Sequence, residues 1–142
     1  MAANALGAAS RPSAASAVIR LGIVVLTIGT ACIHLQLGGW MFIANAVGYA
    51  VLALAMVLPG PLARIRWMAR LALLAFTTAT IGGWIAFGAR FDLAYLDKAI
   101  EAALVGLLLV ELWRDGGAAG VLRHGRQLLA SLSGRPTRDA FR

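Results

Sequence analysis

The chain has 142 residues, of which 61% are hydrophobic and only 13% charged, with a formal net charge of +7 and one cysteine. Soluble domains carry roughly 45–50% apolar and about 25% charged residues, so the composition excludes an ordinary water-soluble fold and points to lipid. The basic excess lies between apolar runs, which speaks against nucleic acid as its cause, and a lone cysteine excludes an intramolecular disulfide or a multi-cysteine metal site.

Residues 1–16, "MAANALGAASRPSAAS", are small and polar and read as a disordered segment. Four apolar stretches follow, each close to the 20 or so residues that cross a hydrocarbon core about 30 Å thick. The first covers about 17–37. Arg11 and Arg20 give it a basic flank, but no small-residue cleavage pattern follows it, so it reads as a transmembrane helix and not as a signal peptide. Cys32 and His34, two apart, point to different sides of a helix and make a poor metal site, and Cys32 has no basic neighbour to activate it as a nucleophile. His34 alone can offer one axial ligand to haem or to a chlorophyll-type pigment. Bis-histidine haem is excluded because His124 falls in the tail.

Gly38 and Gly39 separate the first span from the second, about 40–58, and two glycines permit a tight helical hairpin. Asn45 sits in the second turn of that span. Pro59 and Pro61 of "PGPLARIR" close it. The third span is about 67–88. Ala44/Gly48, Ala79/Gly83 and, in the fourth span, Ala102/Gly106 form small-xxx-small pairs that let helix backbones approach closely. Thr27, Thr30, Thr77, Thr78 and Thr80 can return their hydroxyls to their own helices and are assigned no chemistry.

The fourth span, about 91–113, brings charge into an apolar setting. At 1.5 Å per residue Glu101 lies about 12–15 Å, and Asp97 about 6–9 Å, along the helix from Phe91. Asp97, Lys98 and Glu101 share one face at i, i+1 and i+4, and a Lys98–Glu101 ion pair is the simplest expectation. Ionisable groups at such depth turn toward protein or water and pair. His34, Asn45, Arg90 and Asp92 fall at comparable depth, so an outward-opening polar pocket of His34, Asn45, Arg90, Asp97, Lys98 and Glu101 is expected; the plainer alternative is an interhelical hydrogen-bond network that fixes the bundle. Glu111, near the other end, is expected to pair with Arg114 or Arg20. In the tail, 114–142, Val121, Leu122, Leu128, Leu129 and Leu132 share a helical face away from Arg123 and Arg126, as in a helix lying on an anionic leaflet.

Lys and Arg concentrate before the first span, around the second loop (Arg64, Arg66, Arg70) and after the fourth span (Arg114, Arg123, Arg126, Arg135, Arg138, Arg142), which places both termini in the cytoplasm. Trp40 and Trp84 then mark the outer interface, Trp67 and Trp113 the inner one. The expected architecture is an all-α, polytopic, four-transmembrane-helix bundle with both termini cytoplasmic.

"HLQLGGWMFIANAVGY" (34–49), Pro59 and "GARFDLAYLDKAIE" (88–101) together resemble a group of small bacterial four-span membrane proteins of uncharacterised function. The resemblance covers about 20–113 and implies neither reaction, substrate nor cofactor. No phosphate-binding loop, catalytic triad or zinc box is visible. The leading expectation is a non-enzymatic protein that acts by helix association, as an accessory subunit of a larger membrane complex or as a homo-oligomer in the bilayer. A small proton-coupled carrier or channel centred on Glu101 is the alternative, and single-histidine haem or pigment binding at His34 a further one.

Overall fold

The computed structural model describes residues 14–58 and 66–132. Among the described residues five helices succeed one another: α1 (Ala14–Leu37), α2 (Trp40–Val57), α3 (Arg66–Phe87), α4 (Asp92–Arg114) and α5 (Gly117–Leu132). Among the described residues there is no strand, and the protein is all-α. Helices α1, α2 and α3 are each long and apolar enough to cross a membrane, as in a multi-pass protein. Helix α4 matches them in length, but Asp92, Asp97, Lys98, Glu101, Glu111 and Arg114 lie within it.

Part of the segment expected to be disordered is helical: Ala14, Ala15 and Ser16 open α1, in keeping with alanine's place at the head of the helix-propensity scale. The rest of that segment, with Arg11, lies outside the described residues, as do Pro59, Pro61, Arg64, Arg135, Arg138 and Arg142.

Gly38 (φ +67°) and Gly39 (φ +79°) turn α1 into α2. Both sit in left-handed backbone, which a side chain disfavours. Helix α1 packs against α2 and α4, and α3 against α2 and α4, which closes a four-helix ring. Two consecutive positive-φ glycines, Gly116 (+99°) and Gly117 (+55°), then turn the chain into α5.

The rotation of each helix follows from a stripe with three- and four-residue spacing. Ile23, Thr27, Thr30 and His34 of α1 are buried, as are Ala46, Tyr49, Ala53 and Met56 of α2. Leu73 and Thr77 of α3 and Asp97, Glu101, Leu104, Leu108 and Glu111 of α4 complete the interior. The outer surface is the inverse of a soluble protein's: Leu21, Val25, Ile28, Val47, Val51, Leu96 and Leu109 are each about half exposed or more, a contiguous apolar girdle of a kind that monomers in water rarely show.

Three layers stack along the ring. The end bearing the Gly38–Gly39 turn holds a polar cluster. Ile23, Met56, Leu73, Leu104 and Leu108 form an apolar middle. At the α5 end Arg20 Nε donates to Glu111 Oε1 at 2.9 Å, Arg70 Nε lies 3.4 Å from Glu111 Oε2, and Arg70 also bonds Asp115. Glu111 therefore pairs with Arg20, and Arg114 is exposed. Arg70, expected among the charges around a loop, is instead only 8% exposed inside α3, because two acidic partners on α4 and its following turn receive it.

In α5, Leu122 and Leu129 are exposed, as are Arg123 and Arg126. The side chains of His124, Leu128 and Leu132 lie outside the described residues.

Candidate functional site

All four helices of the ring converge on two carboxylates. Asp97 and Glu101, one turn apart on α4, are 1% and 0% exposed. Glu101 Oε1 accepts a hydrogen bond from the Tyr49 hydroxyl of α2 at 2.8 Å and lies 3.0 Å from Thr80 Oγ1 of α3. Its other oxygen, Oε2, accepts from Lys98 Nζ at 2.5 Å. Asp97 Oδ1 accepts from Thr30 Oγ1 of α1 at 2.6 Å, and Asp97 Oδ2 lies 3.0 Å from the same Lys98 ammonium. Each carboxylate oxygen thus has a partner, as burial requires.

His34 completes the cluster from α1. Its Nδ1 is 2.9 Å from the Thr30 carbonyl oxygen and 3.6 Å from Asp97 Oδ1. A ring nitrogen bonded to a carbonyl must carry a proton, so Nδ1 is the donor. The ring packs between Phe42 and Tyr49, with centroids at 6.0 and 5.6 Å. The cluster thus sets two buried carboxylates around one lysine ammonium, with the His34 ring beside Asp97, in a low-dielectric interior.

A cavity of about 510 Å³ opens above this cluster. Asp97, Lys98, His34, Asn45 and Thr80 provide its polar floor, and Phe42, Phe76, Trp84, Phe87 and Phe91 its aromatic wall. Ala79 and Gly83 also line it, and a Cβ placed on Gly83 would meet nothing within 4 Å. The small pair in α3 therefore gives the cavity its width. Gly48, by contrast, lies against the Phe76 ring, where an added Cβ would come within 2.7 Å. Ala102 and Gly106 face outward from α4, with open space beside Gly106.

The structure brings His34, Asn45, Asp97, Lys98 and Glu101 together and leaves Arg90 at the rim. The Arg90 guanidinium stacks 4.2 Å above the Trp84 ring and donates to the Ile85 carbonyl, outside the cavity lining. Thr27 and Thr78 return their hydroxyls to the backbone at Ile23 and Leu74, as expected. Thr80 bonds the Thr77 carbonyl and also reaches Glu101, whereas the Thr30 hydroxyl is turned to Asp97. Tyr49 is the other residue that sequence reasoning passes over. Its signal is positional, four residues after Asn45 and so on the same face of α2.

His34, Asp97 and Glu101 each bring a potential ligand atom within 4.8 Å of the others, a set able to hold a metal ion. The Lys98 ammonium already stands between the two carboxylates, and a second cation would have to displace it. Cys32 is exposed and takes no part.

Comparison with known proteins found no family model, no curated protein and no solved structure that matches this chain. The chemistry is therefore carried by geometry alone: a buried acid pair that shares one lysine, beneath a cavity large enough for a small organic molecule.

Proposed function

We propose that this protein is a small proton-coupled carrier with four transmembrane helices, residing in the bacterial cytoplasmic membrane with both termini in the cytoplasm. Helix α4 is the fourth span. Its charged residues are compatible with lipid because Asp97, Glu101 and Glu111 turn into the ring and intramembrane charges are tolerated when they face protein and pair. The lysine and arginine distribution supports the orientation, and the likeness of residues 34–49 and 88–101 to small four-span proteins supports the span count. In this frame the cavity opens outward.

The observation that carries the reading is the sharing of one lysine by Asp97 and Glu101 beneath the cavity. In this reading the acid pair is the proton-binding group, and the cavity, lined by Asp97, Lys98 and His34, gives access to it. Below the cluster the apolar layer of Ile23, Leu73, Leu104 and Leu108 separates it from Glu111, about 15 Å further along α4. A polar path therefore ends at Glu101, which favours a carrier that changes conformation over an open channel. The test is a pH jump applied to proteoliposomes on a solid-supported membrane. A transient charge displacement is expected for the native protein and its loss for Glu101→Gln; no current from the native protein, or an equal current from the variant, rejects the reading.

A second reading, association as an accessory subunit or a homo-oligomer, draws on the exposed Ala102 and Gly106 of α4. In mild detergent it calls for a particle mass above that of one chain. A strict monomer with no co-purifying protein counts against it.

A further inference from the structure

We propose that the cavity binds a neutral phenolic headgroup, of the phenol or quinol class, with its ring against the aromatic wall and its hydroxyl on the polar floor. This inference rests on the cavity being the carrier's ligand site. Four observations lead to it.

The wall comes first. Phe42, Phe76, Trp84, Phe87 and Phe91 line the cavity, and aromatic side chains receive a planar ring by offset or edge-to-face contact. Phe87 is 94% exposed, so this wall continues to the surface, where an alkyl or isoprenoid tail can leave toward lipid. Gly83 keeps one side open. The volume of about 510 Å³ falls within the roughly 300–1,000 Å³ usual for small-molecule sites.

The second observation is the set of polar groups left without protein partners. Among the described residues, nothing hydrogen-bonds the Asn45 carboxamide or His34 Nε2. Lys98 directs its ammonium to two carboxylates and has three N–H donors. The floor therefore offers an unpartnered ring nitrogen at His34, a donor–acceptor pair at Asn45 and one donor at Lys98. A hydroxyl matches this set, because it donates one hydrogen bond and accepts others.

Charge is the third. Every oxygen of Asp97 and Glu101 is already engaged by Thr30, Tyr49, Thr80 or Lys98, so an ammonium headgroup finds no free anion and meets Lys98. A carboxylate headgroup would compete for a lysine already shared by two carboxylates. A neutral head avoids both costs.

The fourth is depth: Asn45 is a half-buried amide on a helix otherwise facing lipid or core, and an amide there without a protein partner carries a desolvation cost that a ligand hydroxyl removes.

The experiment compares four probes with one tail: 4-octylphenol, 4-octylbenzoate, 4-octylbenzylammonium and octylbenzene, titrated calorimetrically into the full chain in a single detergent. The phenol is expected to bind about tenfold tighter than each of the others, a ratio within reach of one or two hydrogen bonds. Asn45→Leu is expected to shrink the phenol–octylbenzene ratio to about twofold, and Gly83→Leu to weaken all four probes alike by filling the cavity. Benzoate or benzylammonium binding as tightly as the phenol overturns the proposal, as does equal binding of phenol and octylbenzene or no binding at all. Those outcomes leave the pH-jump current of the native protein untouched, so a wrong ligand class is distinguished from a wrong carrier assignment.

Discussion

Lys98 and Glu101, three residues apart on α4, meet through an ammonium–carboxylate contact of 2.5 Å, and the same ammonium lies 3.0 Å from Asp97. One lysine thus holds two buried carboxylates, His34 lies beside Asp97, and the other hydrogen bonds to the pair come from hydroxyls: Thr30, Tyr49 and Thr80, one from each of the other three helices of the ring. The cluster ties the ring together through two carboxylates that share one lysine. The proposed proton-binding role would therefore reside in the same atoms as the structural one, and substitutions that remove a charge differ in kind from those that remove a hydroxyl.

Lys98→Met removes the shared cation and keeps most of the side chain's volume. Breaking a buried pair from one side costs about 3–5 kcal/mol, because the remaining charge is left uncompensated. The double variant Lys98→Met/Asp97→Asn is expected to regain part of that loss, since it removes one of the two charges the lysine was holding and leaves Glu101 without its cation. Unfolding in mixed micelles, followed by circular dichroism, measures both. If the double variant is as unstable as the sum of its single variants, the two residues are not coupled.

Tyr49→Phe keeps the ring that packs edge-on against Phe76 at 4.9 Å and removes only the hydroxyl that donates to Glu101. A lost hydrogen bond to a charged group costs about 1.5–3 kcal/mol, whereas interhelical bonds in membranes average about 0.6; a loss of about 1–2 kcal/mol is expected here. Thr78→Val is the control. That hydroxyl bonds its own helix at the exposed surface, so its loss is expected to change stability by less than about 0.5 kcal/mol.

Much of this arrangement is legible in the residues. Two glycines between apolar runs announce the first hairpin, and the i, i+1, i+4 spacing of Asp97, Lys98 and Glu101 announces a shared face. Counting residues from the turn places His34 and Asn45 at the matching depth. Helix rotation is harder to read, because nearly every position in α1–α3 is apolar and the contrast that orients an amphipathic helix is missing. Thr30, Tyr49 and Thr80 are hidden for that reason: a threonine in a helix bonds its own backbone by default, and only the neighbouring helices' rotation reveals a carboxylate within reach. The small-residue pairs show the same limit. Gly48 touches a ring, Gly83 borders a cavity and Gly106 faces open space, yet their sequence surroundings are alike. Arg70 belongs with them, because a positive residue beside a loop reads as a topology signal, and its burial depends on Glu111 and Asp115 being opposite it.

Gly48 and Gly106 differ in what surrounds them, and a methyl group tests the difference. At Gly48 the added Cβ meets Phe76 at 2.7 Å, and overpacking of this kind costs about 1–3 kcal/mol. At Gly106 nothing lies within 4 Å, so Gly106→Ala is expected to be neutral or to stabilise by up to about 1 kcal/mol through helix propensity. Thermal unfolding of the two variants in the same detergent checks the contrast. A shared sign would mean that α2 and α3 do not approach each other as described.

The four-span reading makes a topological claim that one pair of cysteines decides. In a Cys32→Ser background, Ala89→Cys places a thiol at the exposed loop between α3 and α4, and Ala119→Cys places one at an exposed position of α5. If α4 crosses the membrane, these two sites lie on opposite sides, and the basic residues that follow α4 hold its far end in the cytoplasm. A membrane-impermeant maleimide added to intact cells or right-side-out vesicles is then expected to label the position-89 thiol, and the position-119 thiol only after lysis. Labelling of both sites from outside would place α4 on the surface with its buried charges in the interfacial region. The three remaining spans would then put the termini on opposite sides, and Asp97 and Glu101 would need no lipid-embedded partner at all.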